Sequence, residues 1–215
     1  ERRIKEIILN TIPNVASIIV CGSAIQTNYK NYRDIDVIIA TKEIIKNRKE
    51  KRELINKVES IGKEKGINLE AQIYAQKSII FQYPSNPSLI YQLKDSKVIY
   101  GTLHLPNKTQ LSKLDLKMKL DWSEIVNSKS EADEIYHAIR NAMLVLLLMN
   151  KKVDNNQLNQ NVENVLGSNL INNLKNNNAS KTEKKLAFSY LNLLIRHLEE
   201  ELRNPKWEKI ELENP

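Results

Sequence analysis

Short apolar runs and amphipathic stretches alternate through the first half of the chain. Residues 2–12 carry apolar side chains every three or four positions, which predicts a helix. Residues 15–21 and 34–40 are apolar runs rich in β-branched side chains, and residues 67–75 alternate apolar and polar positions. These patterns predict two buried strands and one half-buried strand.

Turn and capping residues divide the rest of this half. The charged stretch 42–65 has apolar residues at helical spacing, and Gly66 is expected to end that helix. Asn86 followed by Pro87 predicts another helix start, because Asn caps helices and Pro is tolerated at the first helical position. Residues 97–100 predict a short strand.

Strand patterns disappear after residue 105, and helical spacing takes over. Amphipathic helices are predicted at about 130–150, 153–174 and 182–202. The last of these is expected to bury six apolar side chains, namely Leu186, Phe188, Leu191, Leu194, Ile195 and Leu198. This half therefore predicts a small helical bundle.

The change of pattern predicts two domains, an α+β domain over residues 1–105 and an all-α bundle over residues 106–215. Apolar residues make up 41% of the chain and charged residues 27%, which suits a soluble globular protein. The longest apolar run, residues 142–149, is too short to cross a membrane, so no membrane association is expected.

Cysteine and charge narrow the picture further. A single cysteine, Cys21, excludes an internal disulfide and a cysteine-rich zinc site, and it favours a cytoplasmic location. Residues 1–105 hold 17 Lys and Arg against 11 Asp and Glu, a balance of +6 out of the net +7. Such a positive field favours phosphate-bearing ligands, although a surplus of surface lysine is an equally good interpretation.

Two carboxylates stand at the mouth of the second buried strand. Asp34 and Asp36 are two positions apart, so in a strand they point to the same face and repel each other. A divalent cation removes this repulsion, and Mg²⁺ prefers oxygen ligands, often one or two carboxylates together with substrate phosphates. The pair can instead be a turn feature that caps backbone groups.

The end of the first buried strand complements this pair. Gly22 allows a sharp turn and a close approach to a ligand, and backbone N–H groups in such a turn, with the Ser23 hydroxyl, can hold phosphate oxygens. A phosphate-holding turn and a metal platform are most of what phosphoryl or nucleotidyl transfer requires.

Gly22-Ser23, ten residues, and then Asp34-Ile35-Asp36 between apolar strands resemble the core motif of the polymerase-β-type nucleotidyltransferases. The family places a third carboxylate on a later strand between apolar neighbours, where Glu70 stands here. Residues 87–101 resemble the helix and strand that close such domains. The resemblance implies a mixed sheet flanked by helices over residues 1–105, with a helical domain following.

The resemblance also implies an activity. A nucleoside monophosphate would pass from a nucleoside triphosphate such as ATP to an acceptor hydroxyl, with release of pyrophosphate and with Mg²⁺, or Mn²⁺, as the cofactor. Asp34, Asp36 and Glu70 would hold the metal ions, and Gly22 and Ser23 would hold the nucleotide phosphates. Glu70 would also take the proton of the acceptor.

The acceptor stays open at this level. RNA suits the positive charge, a protein hydroxyl is also compatible, and a cationic small molecule is less expected because it would favour an acidic cleft. The helical half would bind the acceptor or form a homo-oligomer. The alternative is a nucleotide-binding module with little or no turnover that acts as an antitoxin-like or partner-binding protein.

Several of these residues also have simpler interpretations. Glu70 lies on the polar face of a half-exposed strand, where a carboxylate needs no catalytic reason, and Cys21 is expected to be a buried packing residue. The helix over residues 42–65 either follows an RNA backbone or forms a solvated face. His137 and Arg140 share a helical face and could reach the acceptor, although packing is favoured.

Overall fold

The computed structural model describes residues 1–25, 34–152 and 155–213. The chain forms two compact units. The first consists of residues 1–84 and 92–107, and the second combines residues 85–91 with the chain from residue 108 onward. The roles that the sequence analysis assigns to residues 1–105 and 106–215 stay predictions.

The first unit is an α+β structure built on a four-stranded sheet. Its helices and strands are α1 (Arg2–Thr11), β1 (Val15–Cys21), β2 (Ile35–Thr41), α2 (Arg48–Glu64), β3 (Leu69–Ala75), α3 (Gln76–Gln82) and β4 (Lys97–Gly101). The strand order is β3-β2-β1-β4, with β1 antiparallel to β2 and β4, and with β2 parallel to β3. The expected mixed sheet with flanking helices is confirmed.

Both central strands, β1 and β2, are buried along almost their whole length, and this burial explains why their apolar residues are continuous. Ile18 in β1 and Ile39 in β2 are fully enclosed, and they pack in one cluster with Ile8 of α1 and Val58 of α2. Strands covered in this way carry continuous rather than alternating apolar residues. This core holds in place the strand ends at which the candidate residues lie.

Two details of the first unit differ from the predictions. Helix α2 begins at Arg48 and not near residue 42, because Asn47 caps it by accepting the N–H groups of Lys49 and Glu50 at 2.9 and 3.3 Å. Helix α3 follows β3 directly and was not predicted. The helix after Asn86 is confirmed: α4 covers Pro87–Lys94, and Asn86 caps it.

The second unit surrounds a central helix. Its elements are β5 (Lys108–Ser112), α5 (Lys113–Glu124), α6 (Ala132–Met149), α7 (Asn155–Leu166), α8 (Ser168–Lys175), α9 (Lys181–Arg203) and β6 (Lys209–Glu213). Helix α6 packs against α5, α7, α8 and α9, which explains why its apolar residues are so continuous. The expected helical domain after the mixed sheet is confirmed.

Three expectations for this half are wrong. Strands do occur after residue 105, since β5 and β6 pair in an antiparallel ribbon. The single helix expected over 153–174 is two helices, because Gly167 adopts a φ of +75° and breaks it. Leu186 faces solvent with 62% of its surface exposed, whereas Leu191, Leu194 and Leu198 are buried as expected.

Among the helices of the described residues, none combines the length and apolar character that a membrane crossing requires.

Candidate nucleotide-binding and metal site

The strand register brings the second aspartate of the motif next to the glutamate. Asp36 in β2 is paired with Cys21 in β1 on one side and with Glu70 in β3 on the other. Residues directly opposite each other on neighbouring strands project to the same face of a sheet. Cys21, Asp36 and Glu70 therefore form a row across three strands.

The glycine of the motif lies directly against the carboxylate of Asp36. Gly22 has a φ of +73° and opens a short 3₁₀ turn, Gly22–Ile25, immediately after β1. A methyl group added to Gly22 would overlap Asp36 Oδ2 and would lie 3.0 Å from Asp36 Cγ. A residue with a side chain cannot occupy this position without moving the carboxylate, so the two halves of the motif meet in space.

Asp34 lies just before β2 begins. Like Asp36 it is half-buried, whereas Glu70 is exposed. The N–H of Ile35 donates to the carbonyl of Asn68 at 2.9 Å, which ties the start of β2 to the segment leading into β3. The register of β2 and β3 therefore sets both aspartates beside the strand that carries Glu70.

Ser23 is described for its main chain alone. Its backbone belongs to the 3₁₀ turn after β1, while its side chain and the whole of residues 26–33 lie outside the described part of the chain. The phosphate-binding role of the Ser23 hydroxyl therefore stays a prediction.

The cysteine of this row is a buried packing residue. Cys21 is 1% exposed, and its Sγ donates to the backbone carbonyl of Asp36 at 3.7 Å. Burial, followed by the negative charges of Asp36 and Glu70, raises the pKa of Cys21 to about 12. A buried thiol that stays protonated is a poor nucleophile, which agrees with the packing role expected from the sequence.

The candidate ligands for a metal ion are the carboxylates of Asp34, Asp36 and Glu70. In the described part of the chain, no three His, Cys, Asp or Glu side chains are grouped closely enough to hold a metal ion. The oxygen ligands that Asp34 and Asp36 offer nevertheless fit Mg²⁺, which can complete its shell with substrate phosphates and water. Binding of Mg²⁺, or Mn²⁺, at Asp34, Asp36 and Glu70 stays a prediction.

The structure adds one supporting residue that the sequence analysis did not single out. Glu59 in α2 accepts the N–H of Ala71 at 3.0 Å through its Oε1. Ala71 follows Glu70 on β3, which is an edge strand of the sheet. The Glu59 carboxylate thus anchors the edge strand next to the candidate third carboxylate, and a helical residue on a charged stretch gives no sequence signal for this contact.

Comparison with known proteins supports the fold. No protein-family model matches the chain, and no curated protein matches it. The chain is similar to the solved structure of spectinomycin adenyltransferase AAD(9) from Enterococcus faecialis with ATP and spectinomycin. The two are 19% identical with a TM-score of 0.60, over 94% of this chain and 98% of that chain.

A second solved structure is a mutant of the toxin–antitoxin pair MntA–HpeT. It is 16% identical with a TM-score of 0.34, over 47% of this chain and 72% of that chain. A TM-score of this size does not establish a shared fold, so the adenyltransferase comparison alone bears on the architecture.

The mixed sheet, the turn against Asp36 and the following helices therefore define a nucleotidyltransferase fold. The resemblance to the polymerase-β-type nucleotidyltransferases, first visible in the Gly-Ser and Asp-x-Asp residues, is confirmed at the level of the fold.

Proposed function

We propose that the protein is an Mg²⁺-dependent nucleotidyltransferase that transfers a nucleoside monophosphate from a nucleoside triphosphate to an acceptor hydroxyl. The observation that carries this proposal is the contact between Gly22 and the Asp36 carboxylate, with Glu70 as the cross-strand neighbour of Asp36. A tight turn of backbone N–H groups beside paired carboxylates is suited to a metal-bound triphosphate.

The proposed chemistry is an in-line displacement at the α-phosphorus. A bond forms between the acceptor oxygen and the α-phosphorus, the bond to the β-phosphate oxygen breaks, and pyrophosphate leaves. Asp34, Asp36 and Glu70 would hold Mg²⁺, which neutralises the charge on the attacking and leaving oxygens when it is bound. The backbone of Gly22 and the Ser23 hydroxyl would hold the phosphates, and Glu70 would accept the acceptor's proton.

The acceptor is proposed to be RNA or a protein hydroxyl rather than a cationic small molecule. The balance of +6 in residues 1–105 favours an anionic or neutral partner over a cationic one. The adenyltransferase of similar fold was solved with ATP and spectinomycin. At 19% identity, the similarity between that protein and this chain bears on the fold and not on the acceptor. Self-association through the helical half also stays a prediction.

Labelled nucleotides test the proposal. The protein is incubated with Mg²⁺ and labelled ATP, CTP, GTP or UTP, with total RNA or a cell lysate as acceptor, and a labelled acceptor is the expected product. Asp36→Asn should reduce labelling at least about 100-fold, because Asp36 would hold the metal ion. Asp95→Asn, which alters an exposed carboxylate of the same unit, is the matched control.

If the protein is instead a nucleotide-binding module with little or no turnover, nucleotides should bind and no acceptor should become labelled under any condition. Labelling that persists unchanged in Asp36→Asn would also refute the proposed site.

A further inference from the structure

The second unit contains a pair of cations, Lys119 on α5 and Arg140 on α6. Arg140 on α6 donates from Nη2 to Tyr91 Oη at 2.7 Å and to Asn159 Oδ1 at 3.3 Å. Its guanidinium carbon lies 5.7 Å from the centre of the Tyr91 ring. Lys119 on α5 lies close enough for the charge of Arg140 to act on its amine.

One nitrogen of Arg140 finds no hydrogen-bond acceptor in the described ranges of the chain. Its Nε is shielded from solvent and has no partner among the described residues. A guanidinium keeps its protons throughout the physiological range, so this N–H cannot be removed by deprotonation. A buried donor without an acceptor costs free energy, which an incoming anion would recover.

The two cations have no counterion among the residues that the structure describes. No ion pair joins Lys119 or Arg140 to a carboxylate in the described part of the chain. The nearby acids Asp121, Glu124 and Glu199 pair with Lys117, which points to a different side of α5. Burial, together with the charge of Arg140, lowers the pKa of Lys119 to about 8. Within the described part of the chain, the site of these two cations therefore carries more positive than negative charge.

Neutral hydrogen bonds hold these two helices together. Asn141 Nδ2 donates to the carbonyl of Lys119 at 2.8 Å and to Ser123 Oγ at 2.7 Å. Ser123 Oγ donates in turn to the carbonyl of Ala138 at 2.9 Å. The backbones that carry Lys119 and Arg140 are thus fixed by other residues, and the two cations do not depend on each other for position.

We propose that Lys119 and Arg140, with Tyr91 beside them, form a binding site for a phosphate group. A phosphate supplies the acceptor that Arg140 Nε lacks and places two negative charges between two cations. All three side chains are half-buried, so water only partly screens the charge of the two cations. The proposal stands without the nucleotidyltransferase chemistry.

A melting experiment at constant ionic strength tests the site. Potassium phosphate replaces potassium chloride stepwise, and the expected result is a rise in the melting temperature of the unaltered protein. Arg140→Gln and Lys119→Met should each weaken the phosphate affinity obtained from this rise by about tenfold. Arg196→Gln and Lys185→Met alter exposed cations of α9 and should leave the affinity unchanged.

A second ligand distinguishes the sources of the phosphate. A short single-stranded RNA is added under the same salt conditions, and its binding is followed by fluorescence anisotropy. A response to both ligands assigns the site to free phosphate as well as to a backbone phosphate, and a response to RNA alone assigns it to the backbone.

Two results would overturn the site. One is the absence of any response to phosphate and to RNA, and the other is an equal response in the unaltered protein, Arg140→Gln and Lys119→Met. Since Arg140→Gln also loses the bond to Tyr91, Lys119→Met keeps the test decisive if the arginine variant folds poorly. A phosphate response that Arg140→Gln and Lys119→Met weaken supports this site whether or not the protein transfers nucleotides, so failure of this site and failure of the catalytic proposal are separate outcomes.

Discussion

At the scale of single residues, the most specific feature of this protein is the contact between Gly22 and the carboxylate of Asp36. Gly22 combines a left-handed backbone conformation with direct packing against Asp36 Oδ2. Either property alone would favour glycine, and together they exclude other residues at this position. The Gly-Ser motif therefore has a structural reason that can be tested apart from any ligand.

Gly22→Ala should move the Asp36 carboxylate and lower nucleotidyl transfer by roughly 100-fold, because small displacements at a reacting centre cost about that much. The matched control is Gly66→Ala, since Gly66 has a φ of +72° and open space around the added methyl group. Both variants should lose about 1 kcal/mol of stability from the left-handed backbone. Equal activity in the two variants would contradict the role of the Asp36 contact.

Lys119→Met should stabilise the protein at neutral pH. The pKa of Lys119 is about 8 in the folded state against an ordinary 10.5, so folding disfavours its charged form. The unfolded chain binds the extra proton between these values, and stability therefore rises with pH from about 8 to 10.5. The stabilisation by methionine should be roughly 1–3 kcal/mol at pH 7 and should fade toward pH 10.5.

The measurement is urea unfolding of the unaltered protein and of Lys119→Met from pH 7 to pH 10.5 in phosphate-free buffer. Arg140 on α6 is the charged group that acts on Lys119, and Arg140 in turn donates to Tyr91 on α4. Lys185→Met, at an exposed position of α9, is the control for loss of one charge. A difference between Lys119→Met and the unaltered protein that does not change with pH would contradict the explanation.

At the scale of elements, helix α2 both covers the sheet and secures its edge. Val58 is fully buried in the core, and Glu59 accepts the N–H of Ala71 on β3. An edge strand exposes unpaired backbone groups, and a side-chain acceptor satisfies one of them. The helix that reads as a charged surface stretch therefore also positions the strand that carries Glu70.

Glu59→Ala should cost about 1 kcal/mol of stability and speed hydrogen exchange at the Ala71 amide, because that N–H loses its acceptor. Transfer activity should fall as well if Glu70 acts at the reacting centre. Glu59→Gln keeps an acceptor oxygen in the same place and should behave nearly like the unaltered protein. The measurements are urea unfolding and amide exchange by NMR, and unchanged exchange at Ala71 in Glu59→Ala would exclude the contact.

At the scale of the whole molecule, two short segments far apart in sequence form one ribbon. Strand β5 pairs with β6 near the end of the described chain, and Leu111 faces Ile210 across the pair. Both residues are almost fully buried, as is Thr109. Each strand is too short and too polar to be predicted alone, and each is stable because the other covers it.

Ile210→Ala should therefore destabilise the second unit by about 2–5 kcal/mol, as expected for truncation of a buried isoleucine. Lys209→Ala changes its exposed neighbour on the same strand and should have little effect. The measurement is urea unfolding followed by circular dichroism. A cost for Ile210→Ala no greater than that for Lys209→Ala would show that the ribbon contributes little to stability.

The sequence by itself determined the local structure and the chemistry that the chain offers. Periodicity reports which side of an element is apolar, so β1, β2, β3, α1, α6 and α9 were predictable within a few residues. Helix α2 starts later than expected at its Asn47 cap, Gly167 breaks one expected helix into two, and α3 and α5 were not predicted. The Gly-Ser and Asp-x-Asp residues likewise pointed to a phosphate and metal site.

Only the tertiary structure decided which of these groups meet. The register that sets Asp36 beside Glu70, the packing of Gly22 on Asp36, the β5–β6 ribbon and the approach of Arg140 to Lys119 all join residues from different elements. Such contacts depend on the pairing and packing of distant segments, and periodicity within one segment carries no information about its partner.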